Sequence, residues 1–164
     1  MLGYEMFRLL IDLKRTAKDN MTEEQFESIH NNVKRAILDP GPDLVVCDEG
    51  HRIKNHKAAT SIALKKIATK RRVVLTGYPL QNNMMEYWCM VDFVRPDFLG
   101  TKEEFGNSFE KPIKNGQCKD STQYDQHLMR QRAHVLYSLL KGFVQRYVCC
   151  HFALVFVSFR ALHV

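Results

Sequence analysis

Long uninterrupted apolar stretches are missing from this 164-residue chain, and so are the spacings of the common metal and redox motifs. Its five cysteines, Cys47, Cys89, Cys118, Cys149 and Cys150, include no C-x-x-C pair, and their number is odd. Such a set reads as reduced thiols rather than a disulfide framework. Adjacent cysteines suit a tetrahedral site poorly, and Cys149-Cys150-His151 has no second pair to complete it, which argues against a zinc module. The first ten residues are interrupted by Glu5 and Arg8, so they form neither a signal peptide nor a membrane span. The most apolar stretch, Tyr147–Phe159, is short for a span and is broken by His151. The expected compartment is therefore cytosol or nucleus, with no membrane partner. No internal repeat or low-complexity segment appears. Nowhere does a Gly-x-x-x-x-Gly-Lys-Thr/Ser loop occur, so nothing cradles phosphates as that loop does.

What is present suits one ordinary packed domain. The hydrophobic fraction is 45%, and 24 Lys and Arg against 18 Asp and Glu give a net charge of +6. That balance favours a polyanionic partner without naming one, since basic faces are often simply solvated.

Thr22-x-x-Gln25 reads as a capping box opening a helix, and Phe26, Ile29, Val33 and Ile37 then recur at helical spacing as one buried stripe. Asp39-Pro40-Gly41-Pro42 stops that helix. The short apolar run Leu44–Cys47 reads as a strand buried on both faces, as in a parallel sheet. A helix over about His56–Lys70 leads to a second such strand at Val73–Leu75, closed by Thr76-Gly77. Strand, helix, strand makes a βαβ unit and a parallel pair. Residues Met84–Val94 are apolar almost all round, which predicts a helix packed on several sides. Thr101-x-x-Glu104 opens a shorter helix, and a long one is expected from about Thr122 to Arg146.

Asp48-Glu49-Gly50-His51 stands directly at the carboxyl end of the first strand, where ligands bind in open α/β sheets. One carboxylate there can hold Mg²⁺ through its waters, and the other can orient an attacking water. Acidic pairs also end strands as plain solvated turns, and alone this pair reads that way. The second strand shifts the balance, because Thr76, Gln81 and Asn82 come after it at the same sheet edge. Lys65, Lys66, Lys70, Arg71 and Arg72 precede that strand, away from this edge, and read as a solvated face. Arg52, Lys54 and Asn55 lie on the chemical edge as candidates for nucleotide- or DNA-side contacts, although Asn55 serves equally well as a helix cap.

The stretch Cys47-Asp48-Glu49-Gly50-His51-Arg52-Ile53-Lys54-Asn55, with Leu75-Thr76-Gly77-Tyr78-Pro79-Leu80-Gln81-Asn82-Asn83 after it, resembles motifs II and III of the Swi/Snf chromatin-remodelling ATPases of helicase superfamily two. Gly50, together with Phe109-x-x-Pro112-Ile113-x-Asn115-Gly116-Gln117-Cys118, is most similar to the ATRX-like subgroup. The resemblance runs from about Gly3 to Arg146. It implies an α/β fold, a partial RecA-like parallel sheet (βαβ) with an α-helical extension. Residues 1–94 would be the C-terminal half of the first ATP-binding lobe, 95–146 its helical extension and 147–164 a divergent apolar tail.

It further implies Asp48 and Glu49 as catalytic residues, with Asp48 holding Mg²⁺ via water and Glu49 polarising the hydrolytic water. His51, Thr76, Gly77, Gln81 and Asn82 would couple the nucleotide state to DNA and to the partner lobe. ATP and Mg²⁺ are the implied cofactors of a full-length parent. DNA or a nucleosome, the parent's second ATPase lobe, and a nuclear receptor or other nuclear proteins are the implied partners, in the nucleus. Tyr78 departs from the family's commoner Thr. The missing phosphate loop leaves two further readings open: a truncated, non-catalytic isoform that docks protein or DNA, and a non-functional translation product.

Overall fold

The computed structural model describes residues 1–12, 22–77, 84–142, 144–149 and 151–158. Helix α1 spans Tyr4–Ile11 and α2 spans Glu23–Ile37. Strand β1, Val45–Cys47, runs into a tight 3₁₀ turn over Gly50–Ile53, and α3, Ala59–Lys65, leads to strand β2, Arg72–Thr76. Helix α4 covers Met84–Val94 and α5 covers Lys102–Phe105. A π-helical turn, Gly106–Glu110, joins α5 to α6 at Lys111–Gln117, and α7 runs over Gln123–Leu140. Strands β3, Val144–Cys149, and β4, His151–Ser158, complete the set.

The sheet order is β1-β2-β4-β3. Strands β1 and β2 are parallel, with Val45, Val46 and Cys47 opposite Arg72, Val73 and Val74, and α3 lies in the crossover between them. The expected βαβ unit is therefore present, and the fold is α/β with a helical extension. Residues 144–146, expected at the end of the long helix, belong instead to a strand. The helix stops at Leu140, ahead of Gly142, and the chain continues as a hairpin whose β4 pairs antiparallel with β2 from Arg72 opposite Ser158 to Thr76 opposite Leu154. Runs rich in Val, Phe and Tyr favour strands. The free edge of β2 offers them unpaired backbone groups, so a segment prone to aggregate when alone is paired here.

The core lies on the Cys47 face of the sheet. Phe93 and Phe105 are completely buried there, with Val74, Val91, Val94 and Ile53 beside them. Helix α4 buries Tyr87, Trp88, Cys89, Met90, Val91, Phe93 and Val94, as its all-round apolar sequence predicts. The Trp88 indole donates to the Gly100 carbonyl at 3.1 Å, which satisfies the one polar atom of that side chain. The opposite sheet face is barer, and Leu44 and Val46 remain exposed. Helix α2 buries none of its residues, so the expected stripe of Phe26, Ile29, Val33 and Ile37 is only half covered. Few neighbours reach α2 among the described residues, and amphipathic spacing alone does not supply a surface to pack against. Threonine caps open α5 and α7, where Thr101 and Thr122 side chains accept from the amides of Glu104 and Asp125.

Arg72 overturns the reading of the basic run as a solvated face. Its residue is 2% exposed. The guanidinium donates to the carbonyls of Thr69, Phe93 and Ile67 at 3.1, 3.0 and 3.0 Å and stacks 4.7 Å from the Phe93 ring centroid. Among the described residues no carboxylate pairs with this buried cation, and three carbonyls and a ring face replace its water. Its neighbours behave otherwise, since Lys70 and Arg71 are exposed and Lys65 reaches Asp92 at 2.6 Å.

Gly50 packs equally tightly at the other end of the sheet. A Cβ there would lie 2.3 Å from Val74 Cγ1 and 3.3 Å from the Leu75 carbonyl oxygen, so the 3₁₀ turn sits on β2 only because residue 50 has no side chain. Both contacts can be tested by urea denaturation of this chain. Arg72→Met should lower stability by about 3 kcal/mol, because it strands buried carbonyls, and a loss under about 0.5 kcal/mol would contradict the cross-brace. Gly50→Ala should cost about 1–3 kcal/mol through overpacking. Adding Val74→Ala should then recover part of that loss, whereas simple additivity of the two changes would show that the contact does not matter.

Candidate functional site

The acidic pair leaves β1 at its carboxyl end, where Asp48 and Glu49 are both exposed. Glu49 has φ 52° and ψ 54°, the left-handed conformation that costs a non-glycine residue about 1–2 kcal/mol. The cause is local. The strand must turn at once into the Gly50–Ile53 segment, and buried Gly50 fixes where that segment lies against Val74. Glu49 absorbs the bend.

The Asp48 carboxylate and the peptide that follows it are held. Asp48 Oδ1 accepts from the Glu49 amide at 2.8 Å, and the Asp48 carbonyl accepts from the Tyr4 hydroxyl at 2.5 Å. The Cys47 side chain lies beside this hydroxyl. Burial raises the Tyr4 pKa, with Cys47 and Asp48 pushing in the same direction, so the hydroxyl keeps its proton and stays a donor. Burial likewise raises the Cys47 thiol, opposed by Tyr4 and Arg72. His51 Nδ1 lies 3.2 Å from Glu49 Oε2, a close contact by distance rather than an aligned hydrogen bond.

The residues after this turn fan out from it. Arg52 is exposed, and its amide donates to the Glu49 carbonyl at 2.9 Å. Lys54 Nζ stands 3.7 Å from Glu86 Oε1, which links the turn to α4. Asn55 does not cap α3, whose cap position is Ala58. Its Oδ1 instead accepts from the Lys57 amide at 2.9 Å, an Asx turn that feeds the helix.

Thr76 is buried at the carboxyl end of β2, and Gly77 comes next, exposed. Because Cys47 is opposite Val74 in a parallel pair, Glu49 and Thr76 leave the sheet at the same level. Lys70, Arg71 and Arg72 stand at the other end of β2. Gln81 and Asn82 lie outside the described residues, as does Tyr78.

No group of three or more His, Cys, Asp or Glu side chains that could hold a metal ion occurs among the described residues. Two exposed carboxylates still fit Mg²⁺, a hard cation that takes oxygen ligands and keeps several waters. Asp48 Oδ2 faces no partner among the described residues, whereas Oδ1 is occupied by the Glu49 amide. Tyr4 escapes a sequence reading of the site. It lies 44 residues before Asp48, and no local pattern announces a contact at that separation.

A family of known proteins, the SNF2-related domain, matches residues 13–151. Helicase ARIP4 of Xenopus tropicalis is 57% identical over 161 aligned positions, covering 89% of this chain and 12% of the relative. Helicase ARIP4 of Homo sapiens is 58% identical, with 89% and 11% covered. The transcriptional regulator ATRX homolog of Drosophila melanogaster is 50% identical over 145 positions, with 88% and 10% covered. The chain thus spans about a tenth of the length of these relatives. A matching domain over most of the chain, with half or more of the residues identical, means that this protein belongs to the SNF2-related family.

Proposed function

We propose that this chain carries part of the ATP-hydrolysing lobe of a nuclear, DNA-dependent chromatin-remodelling motor, and that it does not hydrolyse ATP alone. The observation that supports this reading most is the placement of the acidic pair. Asp48 and Glu49 project from the carboxyl end of β1, and parallel β2 ends beside them in Thr76 and Gly77. Asp48 would hold Mg²⁺ through water, and Glu49 would accept a proton from the attacking water. Bound Mg²⁺ would neutralise charge on the nucleotide's phosphates. His51, 3.2 Å from Glu49, is suited to orient that carboxylate. Thr76, Gly77, Gln81 and Asn82 would pass the nucleotide state to DNA and to a second lobe. Arg52 is the exposed cation nearest the pair in sequence, and we assign it to phosphate contact, with Lys54 and Asn55 beside it. DNA or nucleosomes, and nuclear proteins such as a nuclear receptor, are the proposed partners.

The absent Gly-x-x-x-x-Gly-Lys-Thr/Ser loop favours a second reading, a non-catalytic module that docks DNA or protein. Activity separates the two. In a longer protein carrying this segment, Glu49→Gln should reduce DNA-stimulated ATP turnover by at least about 10²-fold and leave ATP binding nearly unchanged, because only the proton acceptor is lost. Full activity after that substitution would refute the assigned role. The purified 164-residue chain should show no DNA-stimulated turnover, with weak DNA binding that fades as salt rises. Robust turnover by this chain, abolished by Glu49→Gln, would show that other residues hold the phosphates and that the segment is a complete enzyme.

A further inference from the structure

We infer that Tyr4 is a positioning residue for the acidic pair, fastening helix α1 to the backbone from which Asp48 and Glu49 project; this rests on the function proposed above. The Tyr4 hydroxyl donates to the Asp48 carbonyl at 2.5 Å, across 44 residues of chain. That carbonyl belongs to the peptide group linking Asp48 to Glu49. Holding it fixes the plane from which the strained Glu49 starts. The same peptide's N–H is the Glu49 amide, which donates to Asp48 Oδ1 at 2.8 Å. One peptide group is thereby held at both of its polar atoms, and the carboxylate of Asp48 is oriented by the second bond. A rotation of this peptide would move both carboxylates together.

The rest of α1 makes the fastening stiff. Tyr4, Phe7 and Ile11 lie on one helical face at spacings of three and four residues. Phe7 is buried in the core, and Tyr4 and Ile11 pack against it as half-covered residues. Helix α1 packs on α3, the crossover between the two strands. Helix α1 is thus seated on the element that joins β1 to β2, and its Tyr4 hydroxyl reaches the site from outside the sheet.

A purely structural tyrosine would serve through its ring, and phenylalanine keeps the ring. Tyr4→Phe in the longer protein carrying this segment should therefore fold normally. Its kcat should fall by about tenfold or more through misplaced carboxylates, while KM for ATP stays within about twofold. Hydrogen exchange of the same protein without nucleotide gives an independent readout. Amides of residues 47–53 should exchange faster in Tyr4→Phe, with those of α3 and α7 unchanged. Tyr124→Phe, at an exposed tyrosine on α7, should alter neither measurement. Unchanged kcat, unchanged exchange at residues 47–53, or a uniform rise in exchange across the chain would each overturn the positioning role. Glu49→Gln run alongside separates the two ideas. If that variant retains turnover, the proposed function fails, and the exchange data alone still decide whether Tyr4 holds the pair.

Discussion

Everything at the carboxyl edge depends on how closely the turn after β1 approaches β2. Gly50 lies against Val74 and the Leu75 carbonyl at distances that no side chain could share. Given that approach, the chain has only two residues, Asp48 and Glu49, between the strand and the 3₁₀ turn, and the bend falls on Glu49. That residue takes a left-handed conformation and keeps its side chain exposed. The strain is sustained because the elements on either side are independently fixed, β1 by its parallel partner and Ile53 by burial in the core.

The two ends of β2 are held by opposite means. At the amino end a large cation is buried, and Arg72 connects the loop after α3 to the last turn of α4 through three backbone carbonyls. At the carboxyl end a missing side chain lets another segment come near. Both devices set the height of β2 relative to its surroundings, and so they set where Thr76 stands relative to Glu49. Lys65 with Asp92 and Lys54 with Glu86 add exposed pairs between α4 and the elements around it, which contribute less because water screens them.

Much of this is legible in residue patterns, and the exceptions share a cause. Leu44–Cys47 and Val73–Leu75 announce parallel strands because both are continuous apolar runs bounded by turn residues. Helix α4 is legible because it is apolar all round, and α5 and α7 because a capping threonine stands three residues before a carboxylate. Arg72 is not legible, since a run of five cations from Lys65 to Arg72 looks like surface until the strand alternation assigns one of them inward. Helix α2 has the right period but little surface to cover it among the described residues. The Tyr4 hydroxyl and the Gly50 contact are long-range, and period or propensity carries no information about which distant residue a side chain meets. The residues after Gly142 have the composition of strands, yet the helical spacing before them runs on to Arg146 and hides the boundary. The partner of β4 depends on a free sheet edge, which no local window can display.

The π-helical turn at Gly106–Glu110 changes how the helical extension meets α7. It precedes Pro112, which has no N–H to give to the turn before it, and the wider turn accommodates that loss. A π turn inserts about one residue into an α-helix, equivalent to rotating the next segment by about 100°. Phe105 lies before the offset and Phe109 within it, with ring centroids 5.5 Å apart, while Ile113 and Gly116 come after it. Gly116 approaches α7 so closely that a Cβ would fall 2.4 Å from Met129 Cβ. The inserted residue acts as a phase shifter: one continuous rod from Lys102 to Gln117 directs its first half to α4 and its second half to α7, two surfaces that a regular helix of that length would not address in register.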